Sequence, residues 1–256
     1  MPLLRIDGLT HYFGGLRAVH DFDLEVEKGE IRGLIGPNGA GKTTVFNLIT
    51  GMYTTAEGRI SFKGINLVGR RPYEIAGLGI GRTFQNLRLW RHMTVLDHVR
   101  LAHYSKIDYG LLDAFLGTGR CQRSEKEIEG RAHALLEMVG VDRFADEVVT
   151  NLPYGVQRKV EIARAMAVEP ELLLLDEPTA GMNTEEMAET MNVIRQIHNE
   201  FDLAIYLIEH RMKVVMELCE YIQTLNFGQV IAEGAPGEIR NNPVVIEAYL
   251  GEEGGG

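Results

Sequence analysis

Two stretches of this 256-residue chain carry residue types at spacings suited to phosphate chemistry. The first, GPNGAGKT at 36–43, fits the pattern G-x-x-x-x-G-K-[ST]. Gly36, Gly39 and Gly41, with Pro37, Asn38 and Ala40 between them, let the backbone curl with its N–H groups turned inward on a phosphate, and the helix that follows adds its positive end. Lys42 would reach the β- and γ-phosphates as a point charge, and the Thr43 hydroxyl, with Thr44 beside it, would ligate Mg2+. The second stretch, LLLLDEP at 172–178, sets two carboxylates where an apolar strand stops. Ligands of open α/β sheets bind at that strand end, so Asp176 is suited to hold Mg2+ through water and Glu177 to act as general base on an attacking water. Alone, the first could be a turn with an exposed lysine and the second a strand-ending turn. Together they point to a bound nucleoside triphosphate with Mg2+.

The elements around these residues must form a sheet edge. IRGLIG precedes the glycine loop as a mostly apolar strand, and TTVFNLITGM follows it with helical spacing at Val45, Leu48 and Ile49, ending at Gly51. Before them, LLRIDGLTHYF and FDLEVEKGE read as strands with a turn at Lys28–Glu30, and GRISFKG continues in that style to about Gln85. From about 87 to 165 the periodicity becomes helical, with Ile128, Ala132, Leu135, Leu136 and Val139 forming one stripe; the glycine-interrupted DYGLLDAFLGTGRCQR carries no assignment. After 170 strands and helices alternate again: ELLLLDEP, MAETMNVIRQI, LAIYLIEH, MKVVMELCEY and IQTLNFGQVIAEG. Such alternation implies a largely parallel sheet. The expected fold is an α/β phosphate-loop core, residues 1–86 and 166–235, carrying an inserted helical subdomain at 87–165. A C-terminal helix around NPVVIEAYL and a disordered tail EEGGG complete the chain, within 236–256.

Bulk properties exclude several classes. A hydrophobic content of 45% supports a packed core, and no apolar run approaches the roughly 18 residues of a membrane span. The N-terminal sequence has no apolar signal core. Two cysteines, Cys121 and Cys219, stand in no metal-like spacing and fit a reducing cytoplasm. A net charge of −10 argues against nucleic acid as a partner.

The motifs, in their order, resemble those of the ATP-binding subunits of ABC transporters over nearly the whole chain. GPNGAGKTT resembles the Walker A loop, and LLLLDEP the Walker B strand with its catalytic glutamate. The resemblance implies a role at Mg2+ and the attacking water for Gln85 in RTFQN, γ-phosphate contact for His210 in LIEHRM, and adenine stacking for Phe13, or for Tyr12 instead. AGMN at 180–183 occupies the place of the D-loop. HYFGGLRAV, RTFQNLRLWRHMTV, IEHRMKVVM and IRNNPVVIEAYLG are similar to the ATPase subunit of bacterial branched-chain amino acid importers. That implies two permease subunits, a second ATPase subunit (a similar one or the chain itself), indirectly a periplasmic binding protein, and a peripheral place on the cytoplasmic face of the inner membrane. Related uptake systems for urea or amides, lipopolysaccharide export, and non-transport ATPases of the same family are the alternatives.

One motif departs from the pattern. The family's signature LSGGQ, which one subunit presents to the ATP held by another, reads here as Leu152, Pro153, Tyr154, Gly155 and Val156. Pro153 brings neither the serine hydroxyl nor an N–H. Gly155 and the nearby helix start still permit a close backbone approach to phosphate. Losing one charge-assisted hydrogen bond would cost about 1.5 to 3 kcal/mol. The plainer reading is that Pro153 merely suits the start of a helix.

Overall fold

The computed structural model describes residues 1–54, 57–104 and 109–253. Strands β1 (Leu4–Phe13) and β2 (Leu16–Val26) pair antiparallel across the Gly14–Gly15 turn. With β4 (Glu57–Phe62) and β5 (Ile65–Asn66) they form a four-stranded sheet in the order β2-β1-β4-β5. The second sheet contains β3 (Ile31–Ile35), β6 (Ile80–Arg82), β7 (Leu172–Asp176), β8 (Ala204–Ile208), β9 (Tyr221–Asn226) and β10 (Gln229–Gly234). Its order is β10-β9-β3-β8-β7-β6, parallel throughout except for the closing β9-β10 hairpin.

Parallel strands need crossovers on the sheet faces, which buries both sides of each strand. Leu172 and Leu174 of β7 accordingly face one apolar cluster, with Ala204, Tyr206 and Ile208 of β8, while Leu173, Leu175, Ile205 and Leu207 face the other. The first cluster is closed by helix α1 (Lys42–Ile49) and by the inner face of the antiparallel sheet, through Phe22, Phe46 and Phe62. A short helix α2 (Pro72–Gly77) adds Ile75 to it.

The second cluster joins the sheet to the helical region as one continuous core. There α3 (Val95–His103) is capped by Thr94, whose Oγ1 accepts from the Asp97 N–H. The glycine-interrupted stretch without a sequence assignment, whose first residue Asp108 lies outside the described residues, holds one short helix and the beginning of another. α4 (Leu111–Leu116) ends on Gly117 in the left-handed conformation, φ 59°, and α5 (Gly119–Met138) starts at once on the cap Thr118, which accepts from the Cys121 N–H. The stripe Ile128, Ala132, Leu135, Leu136 and Val139 is buried as its spacing requires. α6 (Tyr154–Met166) and α7 (Thr184–Phe201) follow; Asn183 caps α7, with Glu186 reaching back to the Asn183 N–H.

Helix α8 (Met212–Leu218) is shorter than MKVVMELCEY implied, because Tyr221 already belongs to β9. α9 (Pro236–Arg240) and α10 (Pro243–Glu253) close the chain. Glu252 and Glu253, read with the disordered tail, are helical, and 254–256 lie outside the described residues. No helix among the described residues is long and apolar enough to cross a membrane.

Candidate active site

Four neighbouring parallel strands, β3, β8, β7 and β6, each deliver one piece of chemistry at the same carboxyl edge of the sheet. β3 runs into the loop Gly36–Gly41 and α1, β8 into Glu209 and His210, β7 into Glu177, and β6 into Gln85. Their adjacency is a property of strand order, invisible in a chain where Gln85 and Glu177 lie 92 residues apart.

The glycine loop is fixed from outside by its backbone. A Cβ on Gly36 would sit 2.0 Å from the Leu225 carbonyl oxygen, and one on Gly41, where φ is 106°, would sit 2.4 Å from that of Ala18. Both positions therefore exclude any side chain. The Gly36 N–H donates to the Tyr249 hydroxyl of α10 at 2.8 Å. Lys42, 7% exposed, folds back so that Nζ donates to the Gly36 and Pro37 carbonyls at 2.6 and 2.7 Å. Its charge is held inside the loop. Asn38, Gly39 and Thr43 are exposed, Pro37 and Ala40 are buried, and Thr44 is half-buried on α1.

Asp176, 1% exposed, receives an Arg82 Nη2 donor on Oδ2 at 3.4 Å, and its N–H donates to Thr83 Oγ1. Its Oδ1 is buried without a hydrogen-bond partner. Burial pushes this carboxyl above its ordinary pKa, with the Arg82 guanidinium opposing the shift. A buried acceptor with no donor fits a bound cation. Among the described residues no three His, Cys, Asp or Glu side chains cluster to hold a metal by themselves. A cation here therefore takes part of its shell from other oxygens, as Mg2+ shared with phosphates does.

Glu177 sits in the left-handed backbone region at φ 48°, strained for a non-glycine residue, with its N–H donating to the Ile208 carbonyl. Gln85 Nε2 donates to Glu177 Oε2 at 3.1 Å, and His210 Nδ1 stands 3.7 Å from the same oxygen. Two residues singled out in the sequence, Gln85 and His210, thus converge on one carboxylate oxygen of a third, Glu177. Phe13 packs edge-on to His11 and Tyr53, with centroids 4.7 and 5.2 Å away, and is 44% exposed against 42% for Tyr12. The altered signature lies at the start of α6: Pro153 is the residue before its first turn and makes no side-chain cap, and Gly155 is buried against Glu186.

Several supporting residues carried no sequence signal of their own. Glu209, fully buried, accepts from the Thr179 N–H and hydroxyl and from the backbone of His210 and Arg211, so it fixes the turns after β7 and β8 together. Arg158, fully buried on α6, donates to the carbonyls of Phe84 and Gln85 and to Glu161, whose other oxygen accepts from the Phe84 N–H. An acidic residue closing an all-apolar strand was the available hint for Glu209.

Comparison with known proteins agrees with this geometry. The profile of the ABC transporter family matches residues 19–180, and that of a branched-chain amino acid ATP-binding cassette transporter matches 229–255. The chain is 46% identical over 251 residues to the high-affinity branched-chain amino acid transport ATP-binding protein LivG of Salmonella typhimurium, covering 98% of both chains. It is 42% identical to the corresponding protein BraF of Pseudomonas aeruginosa, also with 98% of each covered. Among solved structures, a nucleotide-free ATP-binding cassette from an ABC transporter superposes with a TM-score of 0.85 at 30% identity, over 97% of this chain and 99% of that one. An ADP conformation of such a cassette superposes equally well, at 0.85 and 29% identity, covering 98% and 99%. With a family profile over most of its length, a relative 46% identical across 98% of both chains and a cassette's fold, the chain belongs to the ABC transporter family.

Proposed function

We propose that this chain is the ATP-hydrolysing subunit of a membrane importer for branched-chain amino acids. The observation that carries the hydrolytic part is the convergence of Gln85, after β6, and His210, after β8, on Glu177 Oε2 at the end of β7, which β8 separates from the β3 strand of the phosphate loop. The substrate rests on the activity for which the LivG and BraF relatives are named.

In this reading Gly36–Gly41 cradles the phosphates with backbone N–H groups, and Lys42 exchanges its two carbonyl partners for phosphate oxygens. Thr43, Gln85 and Asp176 would hold Mg2+, which when bound would neutralise phosphate charge. Glu177 accepts the proton of the attacking water. Gln85 orients that carboxylate, and His210, within reach of it, contacts the γ-phosphate. Phe13 offers an aromatic surface to adenine. Residues 1–86 and 166–235 act as the nucleotide-binding core, 87–165 as the helical subdomain that meets the permeases, and 236–256 as a C-terminal appendage; the change from strands to helices near these positions supports the division.

Partners follow from the same reading. Two cassettes close on ATP and reopen after hydrolysis. Two permease subunits anchor the pair at the cytoplasmic face of the membrane, and a periplasmic binding protein delivers the cargo. If the second cassette is a different chain with an intact signature, the competent site forms on this chain's own loop and Glu177, and the altered Pro153–Val156 segment, with Gly155, covers the partner's ATP. A tagged chain drawn from gently solubilised membranes is expected to bring down two permeases and a second, non-identical ATPase. Permeases with this ATPase alone would show that Pro153 is tolerated in both sites, and no membrane protein at all would sink the transporter reading.

A further inference from the structure

We propose that Tyr154, which stands where the family's signature has a glycine, is a positioning residue for Gln85 and through it for Glu177; this rests on the roles given above to those two residues. The Tyr154 hydroxyl accepts from Arg158 Nη2 at 2.8 Å, and the same nitrogen donates to the Gln85 carbonyl at 2.7 Å. The other terminal nitrogen, Nη1, holds the Phe84 carbonyl at 2.5 Å and Glu161 Oε2 at 2.7 Å. Arg158 is fully buried, so its planar fork has no water to fall back on, and its angle is set by these four acceptors together.

The tyrosine also fixes a second loop. A Cβ on Gly181, where φ is 74°, would lie 3.4 Å from Tyr154 Cε1, which places the ring against the turn after Pro178. That turn is otherwise tied to Glu209 through Thr179. One side chain at the start of α6 therefore braces both segments that flank Glu177: the segment after β6, through Arg158, and the turn after β7, through Gly181. A glycine at 154 would leave Arg158 with three acceptors and Gly181 uncovered.

The test uses the full chain and its steady-state ATP hydrolysis. Tyr154→Phe deletes the hydroxyl and keeps the ring on Gly181. kcat is expected to fall about tenfold while KM for ATP stays within about twofold, because the loop that holds the phosphates is untouched. In a Gln85→Ala background the same substitution is expected to cost nothing further, since both changes act at one point. An unchanged kcat in Tyr154→Phe, or losses that add in the double variant, would overturn the inference and leave the catalytic site as described. Full turnover in Gln85→Ala would instead remove Gln85 from the site, and the inference with it.

Discussion

The phosphate loop and the Arg158 cluster both serve one site, yet they are built from opposite materials. The loop is backbone: glycines too crowded for a Cβ and carbonyls that hold Lys42. The Arg158 cluster is side chain, a buried ion pair whose four acceptors include carbonyls 73 and 74 residues away. A backbone device tolerates ligands coming and going, because its donors need no desolvated charge to stay paired. A buried charged device tolerates almost nothing, because removing one partner strands the other.

That contrast can be broken by measurement. The largest effect is expected at the chemistry the two devices share: Glu177→Gln should lower ATP hydrolysis about a thousandfold with binding retained, read by turnover beside nucleotide titration. Arg158→Met should destabilise the chain by about 3 kcal/mol in denaturant unfolding, by leaving the buried Glu161 without its hydrogen-bonded cation and with only Arg164, 3.8 Å away, to face it, and Glu161→Met in addition should recover much of that loss. Recovery would show a buried pair kept for geometry. Lys42→Ala should leave stability nearly intact but weaken ATP binding about a hundredfold, measured with a fluorescent nucleotide. An equal stability loss in both variants would erase the distinction. The smallest effect is expected from Tyr249→Phe, which strips the Gly36 N–H of its acceptor and should weaken nucleotide binding by about 1 kcal/mol.

The same division decides what could be read from the chain. GPNGAGKT and LLLLDEP are legible because each device is complete within eight residues or fewer, and the strand-helix alternation around them gives the parallel sheet. Gln85 and His210 became legible through their order along the chain, a family likeness, and the structure then brought both to Glu177. Arg158, Glu161, Glu209 and Thr83 stayed hidden, because a buried polar residue declares itself only through partners that folding brings in from elsewhere. Helix α4 and the start of α5 were missed for a local reason: two glycines around Thr118 look like a loop, whereas Gly117 ends one helix and Thr118 caps the next.

The bond between Gly36 and Tyr249 joins positions 213 residues apart. A chain emerging from the ribosome makes its phosphate loop early, but the first amide of that loop stays without its acceptor until residue 249 has been synthesised. Strand β3 likewise waits for β8 and β9, both made after residue 203, before it has any neighbour in its sheet. The nucleotide site is therefore among the first pieces translated and among the last completed. A growing chain has no finished ATP site with which to begin turnover before its body is whole.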